Sequence, residues 1–401
     1  MTTEELPPPI LIEDQSAFDD MMSRVRGHRE LAVDTEADSF YSYREKVCLI
    51  QLTAGDDDYL IDPLAGFDLS AFGEILADPD CIKVFHDGEY DVVIMKREYG
   101  FEFASLFDTR VAAACLGSST PGLASVLNEA FDVEVDKAMQ RSDWAQRPLS
   151  DEQVRYARLD THYLLDLMHI QRRNLRERDR EMIVESECRR LEALDVRPAS
   201  FRGDDFVKTK GVRDLSPRGR RVVRELYILR DEMANEWDSP PFRVMSNHVL
   251  LELGSRAPQS MDSLLSIKGF TPKMGRRLAK PVLNTIREAR EMEPIAQLPS
   301  LPKRDGTAGL DEVQVELFDR LKTWRKGQAE RMSVESSYLL NRHVMNRIAA
   351  VQPQTIDELS DIEGVLDWQV DRFGDALQQL LETFEADRVD GKLGKRRGWR
   401  R

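Results

Sequence analysis

Up to about residue 175 the chain alternates short apolar runs with stretches of helical periodicity. Runs near 30–36, 46–53, 58–62 and 82–86 read as strands, and the apolar spacing predicts helices near 68–77, 90–99, 108–116, 121–131 and 151–175. Gly100 closes the second of these helices, and Ser150 with Gln153 has the capping-box spacing that starts the last. This is the pattern of a mixed α/β core. The acid triplet Asp56-Asp57-Asp58, between the second and third runs, reads as a hairpin turn with no need of a metal.

After residue 200 the pattern becomes helical throughout, and it repeats. His248, Pro258, Gln259, Asp262, Leu264, Ile267, Gly269 and Arg277 recur 95 residues later as His343, Pro353, Gln354, Asp357, Leu359, Ile362, Gly364 and Arg372. Two copies of one helical module are the simplest account. They differ in charge: Lys268, Lys273 and Arg276 of the first copy meet Glu363, Trp368 and Asp371 of the second. A lysine-flanked glycine turn entering a helix can hold a phosphate through backbone N–H groups and charge. The first copy has that character, while the second is expected to pack or to space.

Three acidic segments carry the candidate chemistry. In Leu31-Ala32-Val33-Asp34-Thr35-Glu36, two acids two positions apart share one face of an apolar strand. Buried carboxylates that repel one another call for protonation, hydrogen bonds or a divalent cation; an edge strand with solvated acids is the alternative. Asp91, behind Tyr90, falls in the first turn of a helix that follows a strand, where an acid also complements the helix dipole. Tyr156 and Asp160 lie four residues apart on one helix face, with Leu159, Leu164, Leu165 and Leu167 on the core side. Each segment alone has a purely structural reading.

Taken in order, the three segments resemble the motifs of the DEDD superfamily of 3′→5′ exonucleases and, within it, the ribonuclease D family. Asp34 and Glu36 stand at the Asp-x-Glu motif, Tyr90-Asp91 ends the second, and Tyr156-x3-Asp160 matches the tyrosine form of the third. His86 stands where the second motif often opens with Asn. The helical repeats resemble HRDC domains, with the likeness carried by the stretch from Trp237 to Asn247 and by Ile267-Lys268-Gly269-Phe270. The resemblance implies a ribonuclease H-like α/β exonuclease core over 1–200, HRDC bundles over 201–300 and 301–390, and a basic tail over 391–401. It also implies two divalent ions, Mg²⁺ or Mn²⁺, with Asp34 bridging them, Glu36 and Asp160 completing the site of the attacking water, and Asp91 holding the second ion. Tyr156 orients the water. The activity so implied is a 3′→5′ exoribonuclease that trims structured RNAs such as tRNA precursors and releases nucleoside 5′-monophosphates. A DNA exonuclease of the same superfamily and a catalytically idle RNA-binding scaffold are the alternatives.

Composition modifies this in two places. The net charge of −15 runs against a nucleic-acid enzyme. Yet basic residues concentrate at Arg172–Arg180, at Lys208, Lys210 and Arg213 through Arg224, and in the tail, and the cluster after the catalytic region could guide a strand. For the 172–180 helix a solvated face is the competing account. Cys48, Cys81, Cys115 and Cys188 form no Cys-x-x-Cys pair, and no apolar run approaches the ~20 residues of a membrane span. A cytoplasmic protein is expected, without membrane association or an obligate protein partner.

Overall fold

A computed structural model describes residues 6–135, 138–196, 200–299, 307 and 309–393. Six strands form one sheet in the order β1-β4-β3-β2-β5-β6: β1 Ile10–Ile12, β2 Glu30–Ala37, β3 Val47–Ala54, β4 Asp57–Ile61, β5 Ile82–Phe85 and β6 Leu106–Asp108. β2, β3 and β4 are antiparallel neighbours, whereas β1, β5 and β6 join in parallel. Every residue of the central β3 is buried, because helices cover both faces. One face carries Leu31, Val33, Ile50, Leu52 and Ile61 into a core with the helices Gln15–Val25, Ser70–Leu76 and Glu89–Tyr99. The period-two alternation turns Ala32, Asp34 and Glu36 of β2, with Leu49, Gln51 and Thr53 of β3, toward the opposite face. The helix Asp151–His162 lies there, with Ala157 packed on Leu49 and Leu60.

Three differences from the sequence reading have physical causes. The helix expected over 151–175 is two, Asp151–His162 and Leu164–Glu177, broken at Tyr163, whose ring stacks on Phe131 at 5.4 Å. Only Gly55 and Asp56 make the turn between β3 and β4; Asp57 begins β4, and Asp58 is a buried strand residue. β1, β6 and the helices Gln15–Val25 and Glu181–Glu192 were not anticipated, and strands of three residues are too short to show a period.

The helical repeat is borne out element by element. Helices at Pro217–Glu236, Pro241–Val244, Asn247–Arg256, Met261–Leu265 and Pro272–Glu291 are followed by helices at Glu312–Met332, Ser336–Leu339, Arg342–Val351, Ile356–Ser360 and Asp367–Val389, each start 95 residues after its counterpart. Gly269 (φ 92°) and Gly364 (φ 94°) occupy the same left-handed position. At each, a Cβ would come within 3.0 Å of a valine methyl, of Val249 and Val344 respectively, which confines the turn to glycine. The copies dock differently. The first keeps a core of its own and meets the α/β domain through Tyr43, whose hydroxyl donates to Asp231 at 2.8 Å. The second shares one continuous core with the helices Thr109–Leu116, Leu164–Glu177 and Glu181–Glu192.

Candidate active site

β2 presents Asp34 and Glu36 on the face beneath helix Asp151–His162, and that helix returns Asp160 to them. Carboxylate oxygens of Asp34, Glu36 and Asp160 lie within 4.8 Å of one another. Asp91 arrives from the other side of the sheet. β5 pairs with β2 only as far as Ala32, so the N–H groups beyond are left without a ladder partner. Asp91, in the first turn of helix Glu89–Tyr99, fills the gap: its Oδ1 accepts from the Thr35 N–H at 3.1 Å and from the Thr35 hydroxyl. Its approach depends on Gly88, where a Cβ would meet Phe85 at 2.6 Å. It depends also on buried Asp108, whose carboxylate accepts from the N–H groups of Asp87 (3.1 Å) and Gly88 (2.9 Å) while capping the next helix at Arg110 and Val111.

The helix bearing Tyr156 and Asp160 is fixed at both ends. The expected capping box forms, Ser150 Oγ accepting from Gln153 N at 3.2 Å and Gln153 Oε1 from Ser150 N at 2.9 Å. Toward its C-terminal end Arg158 Nε donates to Asp58 Oδ2 at 2.6 Å, His162 Nδ1 meets the same oxygen at 2.8 Å, and the hydroxyls of Thr53 and Thr161 join at 2.8 Å. Arg147 pins the preceding loop through two bonds to Asp62 and one to the Cys48 carbonyl. The Tyr156 ring packs beside Trp144 at 6.0 Å.

Electrostatics shows what this arrangement demands. Burial, reinforced by Asp91, Asp160 and Glu36, holds the Asp34 carboxyl well above the carboxylate range. Burial and the charges of Asp160 and Asp91 push Glu36 up to about 9. Asp91 is pushed up to about 6 by burial, against the opposing bonds from Thr35. Asp160 is raised by burial and by Asp91, and its Oδ2 is buried without a hydrogen-bond partner. Four carboxylates this close cannot all ionise at neutral pH without cations. The donor set is all oxygen, as hard divalent ions require, and Asp160 keeps an oxygen free for one. The residues therefore fit a divalent-metal site.

The sequence-derived site thus comes together: Asp34, Glu36, Asp91, Tyr156 and Asp160 converge. His86 does not supply a charge. Its Nδ1 pairs with the Thr109 hydroxyl at 2.9 Å, and burial lowers its pKa to about 4. The expected RNA-binding residues divide. Lys210, Lys268, Lys273 and Arg276 are exposed and have no ion pair among the described residues. Lys208 pairs with Asp205 at 2.9 Å, and Arg213 donates to the Pro299 carbonyl at 2.5 Å. In the 172–180 helix region, Arg172 and Arg176 pair with Glu181, and Arg180 bonds the Cys115 and Met332 carbonyls. The tail beyond residue 393 lies outside the described residues. Asp58, Asp108, Arg147 and Arg158 went unrecognised, because each acts through a partner distant in sequence.

Comparison with known proteins agrees with the geometry. Residues 9–176 match a family model described as 3′-5′ exonuclease, and residues 220–286 and 314–381 each match the HRDC domain. Ribonuclease D of Gluconacetobacter diazotrophicus is 29% identical over 395 residues, covering 97% of each chain. The exosome complex exonuclease RRP6 of Saccharomyces cerevisiae is 30% identical over 296 residues; these cover 70% of this chain but only 40% of the yeast protein. The crystal structure of Escherichia coli RNase D, described as an exoribonuclease involved in structured RNA processing, superposes with a TM-score of 0.67 at 25% identity. That match spans 94% of this chain and 99% of the other.

Proposed function

The chain belongs to the ribonuclease D family of 3′–5′ exonucleases, and from that premise we propose that it removes nucleotides one at a time from the 3′ ends of structured RNAs such as tRNA precursors, releasing nucleoside 5′-monophosphates. The observation that carries the reading is the convergence of Asp34, Glu36, Asp91 and Asp160, brought from three separate parts of the chain to one site beside Tyr156. In this reading the four acids hold two divalent cations, Mg²⁺ or Mn²⁺, which neutralise the phosphodiester and lower the pKa of the attacking water.

The protein's own groups do the positioning. Asp34 faces the other three acids at once and would be the central ligand of the set. Asp91 spends one oxygen on Thr35, which orients the other. Tyr156, its pKa raised by burial and by Asp160, Glu36 and Asp34, keeps its proton, so it orients water as a hydrogen-bond donor and is not the base. Lys210 and, in the first module, Lys268, Lys273 and Arg276 are the proposed phosphate contacts. Among the described residues no helix is long and apolar enough to cross a membrane, and all four cysteines are unpaired and buried, which supports a reducing, cytoplasmic setting. The test is the purified protein with Mg²⁺ or Mn²⁺ on RNA and DNA oligomers of one sequence, labelled at either end. Stepwise loss from the RNA 3′ end is expected; preference for DNA, or no cleavage, overturns the proposal.

A further inference from the structure

Directly across the β2–β3 ladder from Asp34 stands Gln51. Its side chain is wholly buried, and neither its amide nitrogen nor its amide oxygen has a hydrogen-bond partner. The other buried glutamines behave differently. Gln153 and Gln369 use both ends of their amides, and Gln171 uses its nitrogen, donating to the Thr109 carbonyl at 2.9 Å, with only its oxygen unpartnered. An orphaned buried amide is costly, and leucine fills nearly the same volume without that cost. Its presence therefore has to be explained by something other than packing.

The surroundings narrow the explanation. Residues directly opposed in an antiparallel pair project from the same face with Cβ atoms about 4.5–5.5 Å apart, which sets Gln51 beside Asp34 under the catalytic helix. Leu60, its other cross-strand neighbour, and Leu49, two positions along its own strand, are apolar, as is Ala157 packed over them. Thr53, two positions the other way, already has its hydroxyl engaged by Asp58 and Thr161. The Trp144 indole N–H, also buried and unpartnered in this cluster, is a donor and can serve only the amide oxygen; the acceptors left for the amide N–H group are the site carboxylates, of which Asp160 Oδ2 is itself buried and unpartnered.

We infer that Gln51 is a positioning residue whose amide N–H group steadies the Asp160 carboxylate as the acid cluster takes up its cations. The amide thus acts on the metal site through a ligand. Partners of this kind fix ligand orientation, and their loss typically costs about 10–100-fold in metal affinity or activity. The inference rests on the proposed reading of the cluster as a metal-dependent phosphodiesterase site.

The experiment compares Gln51→Leu and Gln51→Met with the parent protein in three measurements: thermal melting in EDTA, Mn²⁺ affinity by electron paramagnetic resonance without RNA, and kcat and KM on a 5′-labelled single-stranded RNA. Expected are a melting temperature unchanged or raised, Mn²⁺ affinity weakened about tenfold, kcat lowered about 10–100-fold, and KM for RNA unchanged. Parent-like Mn²⁺ affinity and kcat in either folded variant overturn the inference. So does a loss of activity that only follows a fall in melting temperature in both, because that is the mark of a packing role. A parent protein that binds Mn²⁺ but cuts no RNA defeats the proposed function alone, since the Mn²⁺ affinity still reports on Gln51.

Discussion

Asp58→Asn keeps the shape of its side chain and removes its charge. The Asp58 side chain is 2% exposed and that of its partner Arg158 8%, at 2.6 Å, so the substitution leaves a buried guanidinium without a counter-ion. Breaking a buried pair from one side costs about 3–5 kcal/mol. The loss falls on one element, because the pair ties β4 to the C-terminal half of helix Asp151–His162. At about 1.4 kcal/mol per factor of ten, amide protection in that helix should drop by about a hundredfold or more. Hydrogen exchange read by mass spectrometry measures this locally, with peptides from helix Glu312–Met332 as internal reference. Removing both charges together, Asp58→Leu with Arg158→Leu, should return protection to within about 1 kcal/mol of the parent, and kcat, lowered in D58N because Tyr156 and Asp160 ride on this helix, should recover with it. Unchanged protection in D58N, or losses that simply add in the double variant, would refute the reasoning.

Asp34→Asn should lower kcat at saturating Mg²⁺ by at least about 10³-fold while leaving the EDTA melting temperature equal or higher, since it relieves repulsion among buried acids; substantial residual turnover refutes it. Tyr156→Phe should cost less, about 10–100-fold in kcat, because positioning by the hydroxyl is lost while the four acids remain. In EDTA the cluster should make stability fall as pH rises. Glu36 near 9 and Asp91 near 6 hold their protons more tightly folded than unfolded, where carboxyls titrate near 4. That contribution is complete below about pH 4 and is lost as pH climbs through the folded values, so the melting increment given by Mg²⁺ should grow from pH 5 to 8.5, and equal increments refute it. Lys273→Glu with Arg276→Glu should raise KM for a hairpin-bearing RNA more than for a short single strand, whereas Glu363→Gln with Asp371→Asn should not; equal losses from the two modules refute the division.

What the sequence made legible was local. The two-residue spacing of Asp34 and Glu36 placed them on one face, and the Ser150–Gln153 spacing began the catalytic helix at the observed residue. The 95-residue repeat showed two copies of one helical module, though not the bounds of the five helices in each. What stayed hidden depends on partners far along the chain. Asp58 looks like a turn residue because the neighbouring acids dominate its context, yet its partners Arg158 and His162 lie about a hundred positions on. Asp108 reads as a helix cap, which it is, while its second duty of bracing the loop before Asp91 has no local signature. Burial of Gln51 against Asp34 follows from strand register, which periodicity alone does not give.

The two modules show how a repeat can diverge without losing its frame. Arg277 and Arg372 occupy the same position in the two copies. In the first, Arg277 lies over the Trp237 ring at 3.7 Å, so its charge is used within the module and the neighbouring cations stay free toward solvent. In the second, the position matching Trp237 is Met332, whose carbonyl accepts from Arg180 of the exonuclease domain at 2.6 Å. With no indole to cover, Arg372 reaches outward instead, to the Asp179 carbonyl at 2.6 Å and its carboxylate at 3.5 Å. Trp368, standing where the first copy has Lys273, packs against the core shared with the exonuclease helices. One module presents its cations to solvent, and the other, through Trp368 and Arg372, makes a joint with the catalytic domain. The acidic net charge is thus compatible with binding RNA, because the second module does not need to be basic.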